Sequence, residues 1–336
     1  MNGLPLPFVG MNGRPQALRR ALLAGAIAAA AGSAWAVYPE RPVTLIVPFA
    51  PGGSSDIIAR TIAPELSAKL GQSIVVENYA GAGGVLGMQR AVRATADGYS
   101  ILLGSGSEVL INKLINPALQ FDGLRDLKPV SFIGTGPMVL VGKKALPPNN
   151  VSELIAYARD AKNPLNFASA GNGTPMHVAG ELFNIKAKTQ IAHVPYRGAS
   201  PALVDVMGGQ VELGIATLTA AQSFIKAGKI KSYGVLSREK SPLAPEIPAI
   251  GQVPGLEAVD LGVWFGLFVP AKTSGEVASR LEAASRAVLA NPEIVRKLAE
   301  QGISASGGSA EELKSFMAQE VEKYRAVVKA ADIKPQ

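Results

Sequence analysis

The sequence predicts an α/β chain in two lobes, with mostly parallel sheets and a ligand cleft between the lobes, and three observations carry this. The 336 residues exceed a single domain of about 150 and call for about two cores. Short β-branched apolar runs alternate with helical stretches through glycine-rich turns, which is the pattern of βαβ units. Two apolar segments, Pro137 to Val141 and Gly262 to Val269, bracket the second series of such units and are placed to join one lobe to the other.

Residues 1–36 read as an export signal: Arg14, Arg19 and Arg20 form a basic region, Ala21 to Ala31 an apolar one, and Ala34-Trp35-Ala36 a small-x-small cleavage site. Cleavage after Ala36 places the chain in the periplasm. Arg19-Arg20 followed by Leu22 and Leu23 raises the twin-arginine route beside the general one. Met11 competes with Met1 as the start. Beyond the signal no stretch approaches the roughly 20 apolar residues that span a bilayer, so the mature chain is expected to be soluble.

The first strand is expected at Val43 to Val47, an apolar run ending at Pro48. Pro-Gly-Gly follows, then a helix capped by Ser54 or Ser55, with Ile58, Ile62, Leu66 and Leu70 on its buried face, Pro64 inside it and Gly71 as its stop. A strand near Ile74 to Glu77, a turn at Gly81-Ala82-Gly83-Gly84, a helix to about Arg93 and a strand at Ile101 to Leu103 complete the first series. The second series has helices near Ser152 to Ala161, Pro175 to Ile185, Pro201 to Met207 and Ala220 to Ala227. Strands near Leu165 to Ala168, Val211 to Ile215 and Ser232 to Leu236 lie between them. After Pro270 only helices are expected, the last from Ser309 to about Lys329 with Ser309 and Glu312 as a capping box. These boundaries make lobe I of residues 37–137 plus 259–336 and lobe II of 138–258.

Composition removes several functions. The chain has no cysteine, which excludes disulfides, thiolate nucleophiles and a lipid-modified cysteine behind the signal. Its net charge of +7 drops to +4 when Arg14, Arg19 and Arg20 leave with the signal, and no basic run is interleaved with aromatics, so no nucleic-acid partner is expected. The two histidines, His177 and His193, lack the acidic spacing of a metal site. Gly81 to Gly87 fails as a dinucleotide loop because Leu86 stands where glycine is required. Ser54 or Ser55 with His177 as a hydrolase lacks a nucleophile elbow. No cofactor and no metal are expected.

Two loops carry the binding chemistry. In α/β sheets ligands sit beyond the carboxyl ends of strands, where loops open helices. The first loop is Phe49, Ala50, Pro51, Gly52, Gly53, Ser54, Ser55 and Asp56; the second is Ser169, Ala170, Gly171, Asn172, Gly173, Thr174, Pro175, Met176 and His177. Their glycines let a ligand approach backbone N–H groups that feel the positive end of a helix dipole, and this suits an anion. Facing each other across two lobes, they would clamp one carboxylate. Gly81 and Ser105 are added from neighbouring turns, and Trp264 as a cleft wall, with core filler as its alternative role. Asp56 either meets a ligand or serves its own helix, and Glu108 is expected at the surface.

With these residues in view the chain resembles the extracytoplasmic solute receptors of the tripartite tricarboxylate transporter group, the Bug receptors. The resemblance runs through Tyr38-Pro39-Glu40-Arg41-Pro42-Val43, Pro51-Gly52-Gly53-Ser54-Ser55-Asp56, Gly81-Ala82-Gly83-Gly84, Asp97-Gly98-Tyr99, Gly173-Thr174-Pro175-Met176-His177, His193-Val194-Pro195-Tyr196-Arg197-Gly198, Pro201-Ala202-Leu203, Gly209-Gln210-Val211 and Trp264-Phe265-Gly266. It implies a periplasmic binding protein type II fold and a non-enzymatic receptor, with a carboxylate held between the Pro-Gly-Gly and Gly-Thr loops. The chain departs from the pattern at Tyr79-Ala80 and fits loosely from Ser105 to Asn112, both beside the expected ligand. Dicarboxylates, tricarboxylates, aromatic acids and amino acids therefore stay open as ligands. A monomer is expected, with membrane transporter subunits or a sensor kinase as its partner.

Overall fold

The computed structural model describes residues 1, 3–6, 38–160, 162 and 164–335, and residues 14–36, on which the export-signal reading rests, lie outside them. From Arg41 onward the chain forms one compact unit. β1 (Val43–Val47) is buried at every position but Thr44, as a strand covered on both faces must be. Beyond Pro48 the chain turns at Gly52, whose φ of +79° lies in the left-handed region, and enters α1 (Ser54–Leu70). The expected stripe Ile58, Ile62, Leu66 and Leu70 is buried, and Gly71 stops the helix by donating its N–H to the Ser67 carbonyl. β2 (Ile74–Asn78), α2 (Val85–Val92) and β3 (Ser100–Ser105) follow, both strands parallel to β1.

A single π-type turn at Ser107–Ile111 and two short helices, α3 (Asn112–Ile115) and α4 (Gly123–Asp126), lead into β4 (Leu127–Lys143), a strand of 17 residues. The second series is α5 (Val151–Arg159), β5 (Asn166–Ser169), α6 (Pro175–Ala187), β6 (Ala192–Pro195), α7 (Ala199–Gly208), β7 (Leu213–Thr217), α8 (Leu218–Lys226) and β8 (Ile230–Val235). The chain ends with β9 (Gly262–Pro270), α9 (Gly275–Leu289), α10 (Pro292–Glu300), β10 (Ser304–Gly308) and α11 (Ala310–Ala330). Ser309 caps α11 by accepting the Glu312 N–H at 3.2 Å, as the sequence predicts.

The strands run β2-β1-β3-β9-β4-β7-β5-β6, with β8 and β10 also paired to β4. The flanks are parallel and every pairing of β4 is antiparallel. β4 is the strand common to both lobes. Its first part, through Pro137, pairs with β9 and β10, while Met138 to Lys143 pairs with β7 and β8. Of the two candidate joining segments only the first runs from one sheet into the other, since β9 pairs solely with β3 and β4 on the first side. β10 corrects the expectation of helices alone after Pro270.

Candidate functional site

The first loop is fastened by Asp56. Its carboxylate accepts the Gly52 N–H at 3.0 Å, the Arg60 Nε at 3.0 Å and the Asn78 Nδ2 at 3.1 Å. Asn78 Nδ2 also donates to the Phe49 carbonyl at 3.0 Å, so one amide ties β2 to both ends of the loop. Burial works against the Asp56 charge, but the Arg60, Gly52 and Asn78 hydrogen bonds outweigh it and hold the carboxyl below its ordinary value. Asp56 thus shapes the loop from inside. Gly53, the residue before α1, supplies no side-chain cap. The first-turn N–H groups of α1 therefore lack the partner a serine or aspartate would provide there.

The second loop is braced from behind by the two histidines. His177 and His193 stack with ring centroids 3.9 Å apart and planes 13° from parallel. The Gly173 N–H donates to His177 Nδ1 at 3.3 Å, and His193 Nε2 meets Ser169 Oγ at 2.7 Å. Thr174 caps α6: its hydroxyl accepts the His177 N–H at 3.3 Å and donates to the Gly171 carbonyl at 2.7 Å. Burial pushes the His177 imidazole down to about 4, and burial followed by the neighbouring His177 pushes His193 down to about 3. In the unfolded chain both rings take up protons below about pH 6.5. The stability they carry is full above that pH and lost as pH falls through 6.5 toward 4 and 3. Thermal denaturation from pH 7 to pH 4 should show a falling midpoint. His193→Phe, which keeps a stacked ring that cannot charge, should show a smaller fall; an equal fall would assign the acid sensitivity elsewhere.

The two loops meet along a seam. The Ala50 N–H reaches the Arg197 carbonyl at 3.4 Å. Ser107 Oγ lies 2.6 Å from the Gly83 carbonyl and 3.1 Å from that of Gly173, and Asn112 Nδ2 donates to Gly83 at 2.9 Å. The approach is so close that a Cβ on Gly83 would stand 1.8 Å from the Asn172 carbonyl oxygen.

Within the seam lies a chamber lined by Phe49, Gly53, Ser54, Ser55, Ser105, Ala170, Thr174, Pro175, Met176, Ala199, Val263 and Phe265. It is narrow: the centre of a water molecule fits in only about 20 Å³ of it. Among the described residues no charged side chain lines it. Three helix N-termini reach it: α6 behind Thr174, whose hydroxyl caps that helix, and α1 behind Gly53 and α7 behind Gly198, neither of which has a side-chain cap.

Of the residues the sequence proposed, Phe49, Gly53, Ser54, Ser55, Ser105, Ala170 and Thr174 line this chamber. Ala50 and Gly52 make the seam itself, facing Gly198 and Ser200, and Pro51 sits exposed between them. Ser169 is buried behind the second loop, while Gly171, Asn172 and Gly173 face a separate outer depression with Ala82, Gly83, Tyr196 and Arg197. Gly81, with a φ of +145°, turns the chain ahead of Ala82 and is outside the chamber lining. His177 supports the loop and does not line the chamber. Trp264 is corrected to its core role: it is 1% exposed and packs on Phe268 and Phe316. The alternation of β9 sends its neighbours Val263 and Phe265 to the chamber. Glu108, expected at the surface, is 1% exposed behind Ser105. Sequence reading missed Ala199 because Gly198-Ala199-Ser200 preceded the expected helix start at Pro201, though a glycine before a helix was the available signal.

The fold and the chamber between these loops define a two-lobed solute-binding protein. The family model of the tripartite tricarboxylate transporter family receptor matches residues 58–333, and the chain belongs to that family. It is 36% identical over 315 residues to the UPF0065 protein of the tcbD-tcbE intergenic region of Pseudomonas sp. strain P51, covering 92% of this chain and 94% of that one. It is 33% identical to BugT of Bordetella pertussis strain Tohama I over 298 residues, 88% of this chain and 91% of BugT. Among solved structures, Rpa4515 of R. palustris with adipate is 33% identical with a TM-score of 0.83, covering 89% of this chain and 100% of that chain. MatC from Rhodopseudomonas palustris with bound malate is 31% identical with a TM-score of 0.82, covering 87% and 100%.

Proposed function

We propose that this receptor captures a small carboxylate in the seam chamber and delivers it to membrane subunits of a tripartite transporter, without chemical turnover. The observation that carries this reading is the convergence of two uncapped helix N-termini, from α1 and α7, on a chamber with no charged side chain. Each terminus offers unpaired N–H groups and a partial positive charge, and each favours an anion by about 0.3 to 2 kcal/mol. The Ser54, Ser55, Ser105 and Thr174 side chains add hydroxyls, and Phe49, Val263 and Phe265 exclude water. The malate and adipate bound to MatC and Rpa4515 support a carboxylate, including a dicarboxylate, as the ligand. The change of pairing partners along β4 supports lobes divided at residues 137 and 138 and again near 259. Export to the periplasm rests on the Arg19-Arg20 and Ala34-Trp35-Ala36 pattern and on the family.

A thermal-shift screen of ligand-stripped protein against mono-, di- and tricarboxylates, aromatic acids and amino acids tests it. A ligand at one hundred times its dissociation constant should stabilise by about 2.7 kcal/mol. No shift with any member of the panel would reject the reading.

A further inference from the structure

Glu108 is a carboxyl group that the binding reading leaves without a purpose. It sits in the π-type turn after β3, fully enclosed, and both its oxygens point at one residue of the chamber wall: Oε1 lies 2.6 Å from the Ser105 N–H and Oε2 3.1 Å from Ser105 Oγ. The Gly84 Cα region and the Phe49 ring close over it, since a Cβ on Gly84 would lie 3.0 Å from Oε2 and 3.3 Å from the ring. From α11 the buried Tyr324 faces the same pocket beneath Gly106, and burial holds its phenol neutral, well above its ordinary range. Glu320, one turn earlier on α11, is paired with Lys323 at 2.7 Å. No lysine or arginine pairs with Glu108 among the described residues.

We propose that Glu108 sets the hydrogen-bonding sense of Ser105, so that the chamber takes an anionic ligand with Glu108 protonated and Ser105 donating its hydroxyl into the chamber. The inference rests on the carboxylate reading given above. The contact of Oε2 with Ser105 Oγ can be made in two ways. With Glu108 ionised, its oxygens only accept, so the Ser105 hydroxyl hydrogen is drawn inward and the chamber meets the one Ser105 lone pair left by the Ser107 N–H, 3.4 Å from Oγ, beside an uncompensated negative charge. With Glu108 protonated, Oε2–H donates to Ser105 Oγ and Oε1 still accepts the Ser105 N–H. The Ser105 hydrogen is then released toward the ligand, as a carboxylate requires. Burial favours this neutral form, pushing the carboxyl up to about 8. An anion in the chamber raises it further, so ligand and proton bind together, the proton coming from solvent.

The sign follows. Below about pH 8 the carboxyl is protonated with or without ligand and affinity is flat. Above it the competent fraction falls, and affinity should drop about tenfold per pH unit. The test begins on ligand-free protein with ¹³C-labelled glutamate carboxyls, titrated by NMR, Glu108 being assigned as the resonance missing in Glu108→Gln. A carboxyl neutral at pH 7 supports the proposal; one already ionised at pH 7 overturns it whatever the ligand. Calorimetry of the wild type with malate and adipate at pH 9, in two buffers of different ionisation enthalpy, then counts protons without any variant. Uptake near one proton per ligand is expected, and none would overturn the proposal. In Glu108→Gln, whose amide donates to Ser105 at every pH, the fall in affinity should vanish; a fall as steep as in the wild type would assign it to another group. If neither probe binds at any pH, the carboxylate reading fails for these acids, while the NMR titration still decides the state of Glu108.

Discussion

Gly83→Ala should abolish tight ligand binding while leaving the ligand-free protein folded. The added methyl would lie 1.8 Å from the Asn172 carbonyl oxygen across the seam, and that atom belongs to backbone that no rotamer change can move. The clash is relieved when the lobes separate, the motion expected of a receptor that takes up and releases a ligand between them. Alanine at the Gly83 φ of +59° also costs about 1–2 kcal/mol, but it does so in the open and closed forms alike. The closed form bears the clash alone, so affinity should fall at least about a hundredfold, equivalent to about 2.7 kcal/mol. Calorimetry gives the loss, and small-angle scattering should show that the variant no longer contracts on adding ligand. Wild-type affinity in Gly83→Ala would mean that ligand is held without closure of this seam.

The second large effect is expected at Gly53. Its φ is −80°, which any residue can adopt, and the left-handed backbone of this loop is at Gly52, with φ +79°. A Cβ at Gly53 meets only the Ala50 carbonyl at 3.5 Å, an ordinary contact. Gly53→Val should therefore fold, with about 1 kcal/mol lost at the start of α1. Its branches would project where only about 20 Å³ admits a water centre, and they would cover the N–H groups of α1. Binding should fall by about a hundredfold or more, against about two- to thirteenfold for Ser55→Ala, which removes one hydroxyl hydrogen bond of about 0.5 to 1.5 kcal/mol. An equal or larger loss in Ser55→Ala would reject recognition through the backbone.

What the sequence makes legible, and what it hides, follows from particular residues. Val43 to Val47 and the stripe Ile58, Ile62, Leu66 and Leu70 announce themselves because burial on one or both faces demands apolar residues at fixed spacing. The first part of β4 is hidden by Pro129, Gly134 and Gly136, which read as breakers. The strand absorbs Pro129 and Gly134 where its register with β9 shifts, between Pro129 and Ser131 and between Phe132 and Gly134, and carries Gly136 in regular pairing with Val263. β10 is Ser-Ala-Ser-Gly-Gly and carries no apolar signal at all, because it pairs along β4 by backbone. The Pro-Gly-Gly loop is readable as a candidate site because glycine at a strand-to-helix turn has a chemical use. The Ala199 contribution is not, since an alanine after a glycine says nothing about which cavity it borders. For Trp264, alternation along β9 separates it from Val263 and Phe265, but only the packing of Phe316 from α11 decides which side is core. Glu108 defeats a one-dimensional reading because a buried acid is tolerated only through partners, and Ser105 was not evident as one.

The most direct measurement of the central claim is a crystal structure of the mature protein saturated with the best carboxylate from the thermal-shift panel. The account predicts a carboxylate group in the chamber between Gly53, Ser54 and Ser55 of the first loop and Thr174 and Ala199 of the other lobe, accepting main-chain N–H groups at about 2.7–3.2 Å. Ligand bound instead in the outer depression beside Asn172, Tyr196 and Arg197, with the chamber holding only water, would contradict it.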